Sequence, residues 1–501
     1  MKTFAKTPAR CLLSLLCSGM CLNGAESGTA TANAEQSKPV LTLEAQCAAP
    51  FADKAVFQQN IPLPVWGTSL PGAKVAITFD QQAKTTVADK DGKWRVTLDP
   101  IPADKLVSVN EAPAGRSLTV VTEQGGEKAT RVLNHILVGE VWLCSGQSNM
   151  AGPLRMDPYP PGTVAQANYP ALRKQAGGEW IISSPETAGK FSRVAFCFAR
   201  DVQRELLVPV GLLIAATAGS PIESWMQHPP ASPARPAQEG VGGGNYEAHI
   251  KPLVGYAMRG VIWYQGEGNP DEGREYFLKM QSLIGDWRKS WGQGDFSFYF
   301  VQLASIGSSP ADKPEGGDGR ARIRNAQIEA LTLKNTGMAV AIDIGAPKEH
   351  PRNTYDVGIR LARWALNKDY GRQDVVPSGP LYKGFKIEGN KIRVLFDHAQ
   401  NGLMLARKEG YEPPVPTPGA KIPWLSVRAK DGMWHWADGV IEGAELLVSS
   451  KAVVEPVAVR YAYTQNPVGF NLYNKEGLPA SPFSTCGYGT TVKIGQKKDK
   501  K

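Results

Sequence analysis

Apolar and polar positions change rhythm twice along this 501-residue chain, dividing it into three regions. From about residue 41 to 135 the period is two. Lys74-Val75-Ala76-Ile77-Thr78-Phe79 and Trp94-Arg95-Val96-Thr97-Leu98 alternate in the way of half-buried strands. Asp91-Gly92 between them predicts a hairpin turn. Asp89-Lys90-Asp91-Gly92 also has the acidic spacing that begins a calcium loop, but no glutamate follows where an EF-hand needs it, so a turn is expected.

From residue 136 to 371 short apolar runs alternate with helical spacing. Runs at 137–143, 210–216, 260–264, 296–303 and 337–342 predict five strands. Tyr276, Phe277, Met280, Leu283, Ile284, Trp287 and Trp291 recur at steps of three and four, which predicts a helix. A second helix is expected around Val357, Leu361, Trp364 and Ala365. Apolar strands separated by helices imply a parallel sheet covered on both faces. From 372 to 490 the chain returns to strands, at 391–396, 445–449 and 457–463. Gly, Pro and Asp turns separate them. Both β regions are expected to be sandwich-like, and the glycine-rich stretches 240–244 and 316–319 to be mobile loops.

The ends carry different information. Lys2, Lys6 and Arg10 precede an apolar run at 11–22 and the small residues Gly24-Ala25, which reads as a signal peptide over 1–25. The run is too short to span a membrane as a helix. A lipid anchor at Cys21 is the alternative, but Met20 fits such a signal poorly. Residues 26–40 read as a disordered lead-in and 491–501 as a basic tail, so a secreted or periplasmic protein is expected. Most of the net charge of +9 sits in these two ends, so the body offers no nucleic-acid groove. Four of the seven cysteines remain after the signal, namely Cys47, Cys144, Cys197 and Cys486, and they allow three pairings. None has metal-ligand spacing. No metal or cofactor is expected, and the oligomeric state is not legible.

Val141-Trp142-Leu143-Cys144-Ser145 runs straight into Gly146-Gln147-Ser148-Asn149-Met150. A serine there stands at the carboxyl end of a parallel strand, where open α/β sheets bind ligands, and a following helix aims N–H groups at an oxyanion. Alone, the turn reads equally well as a capped strand-to-helix junction. Of six histidines, only His350 follows the last expected strand in a proline-bounded loop, which makes it the candidate base for Ser148.

Four further segments go with that turn. They are Ala218-Gly219-Ser220-Pro221-Ile222-Glu223-Ser224-Trp225, Gly260-Val261-Ile262-Trp263-Tyr264-Gln265-Gly266-Glu267-Gly268-Asn269, His350-Pro351-Arg352-Asn353, and the run 471–482. In this order they resemble the blocks of the SGNH hydrolases, more narrowly of the sialate O-acetylesterase family. The resemblance implies a flavodoxin-like parallel sheet at 136–371, flanked by the two β regions. It implies a serine esterase that removes O-acetyl groups from sialic acid or a related glycan. An acetylxylan or other polysaccharide esterase, and a glycan-binding protein whose site has decayed, are the alternatives.

The resemblance further implies that Glu267 orients His350, with Asp343 and Glu349 as the other acids near the base. The Ser148 and Gly219 N–H groups would form the oxyanion hole, with a side-chain donor from Gln265 or Asn269. Trp142, Trp225, Trp263 and Tyr264 lie near the blocks as candidate sugar platforms, though aromatics at strand ends are more often core. Arg155 and Arg352 are candidate partners for a sialate carboxylate.

Overall fold

A computed structural model describes residues 40–156, 159–230, 242–270, 272–307, 313–346 and 350–488. The expected signal peptide, the lead-in up to residue 39, the basic tail and Glu349 lie outside the described residues. The centre is a sheet whose strands are β1 (Glu127–Gly146), β2 (Tyr169–Ala176), β3 (Glu179–Ser183), β4 (Val210–Ala216), β5 (Gly260–Tyr264), β6 (Ser297–Gln302) and β7 (Thr336–Val340), in the order β3-β2-β4-β1-β5-β6-β7. All neighbours on this path run parallel except the β2–β3 hairpin. The five expected strands are β1, β4, β5, β6 and β7. In chain order they stand 2-1-3-4-5 across the sheet, the order of flavodoxin-like folds, so strand ends on either side of β1 open a crevice at the carboxyl edge.

Helices α1 (Ser148–Ala151), α2 (Arg193–Leu206), α3 (Arg274–Trp291) and α4 (Ala321–Glu329) lie between these strands, and α5 (Thr354–Lys368) follows β7. The expected stripe on α3 is the face it buries: all seven of its apolar positions are in the core. At the α3 end Gly292 adopts φ +67° and its N–H returns to the Arg288 carbonyl, a left-handed stop that glycine makes cheaply.

The flanking regions are β, as expected, but they are joined to the centre more closely than a linker would allow. β1 is 20 residues long; its first half pairs antiparallel with 116–124 and its middle pairs parallel with Val56–Gln58 before it enters the central sheet. The expected boundary at residue 135 therefore falls inside one strand, at His135, whose φ of +57° marks an irregularity. Asp89 Oδ1 accepts from the N–H groups of Asp91 and Lys93, so the acidic stretch there is a turn. The C-terminal region holds two four-stranded sheets and a three-stranded one around its own apolar cluster.

Arg324 on α4 ties that region to the sheet. Its guanidinium donates to the carbonyls of Leu303 (2.7 Å), Ala304 (2.7 Å), Thr464 (2.8 Å) and Gln465 (2.9 Å). Burial, reinforced by Arg320, pushes it down to about 9.

All four cysteines stand as free thiols, so none of the three pairings is made. Cys144 is buried core, and burial pushes its thiol well up. Within the described residues, the glycine-rich stretches expected to be mobile loops are packed at Gly243 and Gly316. A Cβ on Gly316 would lie 2.1 Å from the Tyr463 carbonyl oxygen and one on Gly243 2.3 Å from the Ser224 carbonyl oxygen, so close approach requires these glycines.

Candidate active site

The site is assembled from the ends of β1, β4 and β5. β1 stops at Gly146, whose φ of +134° is closed to other residues and whose Cβ would lie 2.1 Å from the Tyr264 carbonyl oxygen. Gln147 N–H donates to that same carbonyl at 3.0 Å, which turns the chain sharply out of the sheet. Ser148 follows as the first residue of α1, so its N–H has no acceptor within the helix. The side chain is partly buried and makes no hydrogen bond to the described residues. Gly146→Ala is expected to cost at least ~2 kcal/mol through combined strain and clash and to abolish activity, read by urea denaturation beside an esterase assay.

The residues flanking Ser148 lock this turn to the end of β5. Gln147 Oε1 accepts from Gly268 N–H at 3.0 Å, and Asn149 Nδ2 donates to Glu267 Oε1 at 2.6 Å. Glu267 is thus held beside the serine turn. Its Oε2 is enclosed and has no partner among the described residues. Burial raises its carboxyl pKa above the usual range; Arg320, the Asn149 bond and His350 each act against that rise. His350 is therefore near enough for its charge to act on Glu267. The imidazole itself is exposed and makes no hydrogen bond to the described residues.

At the end of β4, Thr217 N–H donates to the Gly146 carbonyl at 3.0 Å, so the next turn starts beside the nucleophile turn. Gly219 there is exposed, adopts φ +70°, and donates its N–H to no described group. The geometry therefore leaves backbone donors of two strand ends open at one rim.

Gln265 and Asn269 have a different task from the one expected. Gln265 Nε2 donates to the Ser220 carbonyl (3.2 Å) and to Asn269 Oδ1 (2.9 Å), while its Oε1 accepts from Tyr276 (2.7 Å). Asn269 Nδ2 donates to Glu223 Oε2 and Glu272 Oε1, each at 3.0 Å, and its Oδ1 also accepts from Ile222 N–H. All their N–H groups are spent. Instead of facing an oxyanion, both amides knit the Ser220 turn to the Glu267 turn, and Lys279 closes the network on Glu223 and Glu272.

Asp343 is likewise committed elsewhere. It receives both arms of Arg360 at 2.7 and 2.8 Å, and both side chains are buried. Trp142, Trp225, Trp263 and Tyr264 are all fully buried, so they are core and not a sugar platform. Arg155 and Arg352 are exposed. Gln147 and Asn149 belong to the Ser148 block but carried no expected role, although a polar pair bracketing Ser148 was a usable signal; nothing in the sequence connects Arg320 to Glu267. Among the described residues no three His, Cys, Asp or Glu side chains cluster as metal ligands. No helix there is long and apolar enough to cross a membrane.

Comparison with known proteins identifies the family. Residues 138–367 match the profile of a carbohydrate esterase family described as sialic acid-specific acetylesterase. The solved structure of a carbohydrate acetylesterase from Xanthomonas citri is 33% identical, covers 88% of this chain and 99% of its own, and superposes with a TM-score of 0.75. Sialate O-acetylesterases from Homo sapiens and Mus musculus are each 28% identical over 490 and 519 residues, covering 84% of this chain and 88% and 90% of their own. The chain belongs to the sialate O-acetylesterase family of carboxylic ester hydrolases.

Proposed function

We propose that this protein removes O-acetyl groups from sialic acid or a related acetylated glycan through an acetyl-enzyme on Ser148. The observation that carries the reading is the turn at Gly146. It sets a hydroxyl with no structural hydrogen bond, an open helix-start N–H and the Glu267 carboxylate at one sheet edge. Ser148 Oγ attacks the acetyl carbonyl carbon as His350 takes its proton. The N–H groups of Ser148 and Gly219 receive the negative charge on the carbonyl oxygen. Collapse breaks the bond from the acyl carbon to the sugar oxygen, which leaves as the alcohol by taking the Ser148 proton from His350. Water then repeats the sequence on the acetyl-enzyme and releases acetate. Glu267 orients His350 and offsets the positive charge it acquires. Family membership favours this ester-hydrolysing reading over a decayed, binding-only module. The N-terminal signal pattern supports export.

Arg320 has a defined part in this scheme. An opposite charge favours the ionised carboxylate, so losing Arg320 raises the Glu267 pKa further and lowers the fraction ionised at a given pH. Arg320→Gln is therefore expected to move the acid limb of the kcat/KM profile to higher pH, measured from pH 4 to 9.

The substrate is tested by acetate release from O-acetylated sialic acid against acetylated xylan, with Ser148→Ala as control. A preference of at least about tenfold for the sialate, equivalent to ~1.4 kcal/mol, supports the reading. Equal or greater activity on xylan replaces it with the polysaccharide esterase.

A further inference from the structure

A cavity of about 390 Å³ lies between residues 315–317, the start of α4 and the C-terminal sheet formed by 425–429, 434–436, 456–461 and 483–484. It shares no lining residue with the catalytic candidates. Its walls include three arginines, Arg322, Arg428 and Arg460, and three aromatic rings, Trp434, Tyr463 and Tyr488. None of these arginines forms an ion pair with a described carboxylate. Glu315 is the one carboxylate among the lining residues, and its side chain is exposed.

The cation arrangement is built rather than incidental. Arg460 is 5% exposed and lies over both Trp434 (4.1 Å) and Tyr463 (4.6 Å), which fixes its plane. Its Nε donates to Ser484 Oγ at 2.9 Å and its Nη1 to the Glu315 carbonyl, leaving Nη2 without a described acceptor. Arg428 Nε donates to the Gly432 carbonyl at 3.0 Å. Arg322 Nε and the Tyr463 hydroxyl are enclosed and have no partner among the described residues. Buried donors are ordinarily satisfied, and guanidinium groups do not lose their proton near neutral pH. Three guanidinium groups therefore line one space, and Arg460, itself buried, keeps an Nη2 donor with no described acceptor.

The ligand must bring an anion, and the aromatic walls add a second requirement. Trp434, Tyr463 and Tyr488 line the space, and aromatic side chains suit the apolar C–H surface of a sugar ring. The volume falls in the range of small-ligand sites. A carboxylate matches the planar guanidinium fork.

We propose that this cavity is a second carbohydrate site, distinct from the esterase centre, that takes a sugar ring bearing a carboxylate. It would hold an acidic residue of a glycan while another part of the chain is deacetylated. The site does not depend on which residue is the nucleophile, so it is tested by binding and not by turnover.

The full-length Ser148→Ala protein is titrated calorimetrically with glucuronate and N-acetylneuraminate, with glucose and N-acetylmannosamine as neutral controls, and with inorganic sulfate. The acidic sugars are expected to bind at least about tenfold more tightly than the neutral ones, and Arg428→Gln or Arg322→Gln to weaken them by a similar factor. The same substitutions in the Ser148 protein should leave p-nitrophenyl acetate hydrolysis within about twofold. Cys486 lines the same cavity and reports on it without any substitution there. Saturating acidic sugar is expected to slow its alkylation several-fold, read by peptide mapping. Equal binding of acidic and neutral sugars, binding of sulfate alone, affinity unchanged by both arginine substitutions, or an unprotected Cys486 would overturn the proposal.

Discussion

Ser148→Ala is expected to lower acetate release by roughly 10⁴- to 10⁶-fold, because nucleophile and base act as one unit and only the oxyanion donors and substrate binding remain. The same substitution should hardly touch stability. Ser148 Oγ makes no hydrogen bond to the described residues, and the turn is held by Gly146, Gln147 and Asn149. Removing a hydroxyl with no bond to lose stays within about 0.5 kcal/mol. Hydrolysis of p-nitrophenyl acetate beside urea denaturation separates the two quantities. A variant that loses activity and stability together would make Ser148 a structural residue.

The second large effect separates the acids near the base. Asp343→Asn takes the two-armed anion from the buried Arg360 guanidinium and leaves only Asp356 at 3.7 Å, a defect worth ~3 kcal/mol. Activity per folded molecule should fall little. Glu267→Gln should do the reverse. Burial already disfavours the ionised form of Glu267, so replacing it by a neutral amide leaves stability at pH 7 unchanged or higher. The lost support for the imidazolium should lower kcat by about 10²- to 10⁴-fold. Denaturant midpoints and kcat, both corrected for folded fraction, give the comparison. An Asp343→Asn protein of normal stability and crippled kcat would reverse the assignment.

These contrasts show how far the sequence could be read. The five strands and α3 were legible because each buries apolar residues at a clean period. The β2–β3 hairpin was not, for a physical reason. β2 buries Arg173, Lys174 and Gln175, so it looks polar, yet Arg173 donates to the Lys54 and His135 carbonyls and Lys174 to the Lys190 carbonyl. Polar heads that find backbone acceptors can be buried, and pattern reading misplaces them. α2 hid because Arg193, Arg200 and Gln203 are buried along its length, which breaks up its apolar stripe.

At the site, the polar letters marked the right segments and misled about tasks. Gln265 and Asn269 stand in the Glu267 turn as expected, but each spends its amide on neighbouring turns, a choice visible only once Ser220, Glu223 and Tyr276 are brought beside them. Glycines at 243 and 316 suggested looseness, whereas backbone approaching backbone requires them.

The most direct test of the account is covalent. A fluorophosphonate probe phosphonylates an activated serine, and mass spectrometry of the digested protein locates the adduct. The account predicts one adduct per chain, on the peptide containing Ser148, strongly reduced in His350→Ala. An adduct on another serine, or labelling of Ser148 that is indifferent to His350, would contradict it.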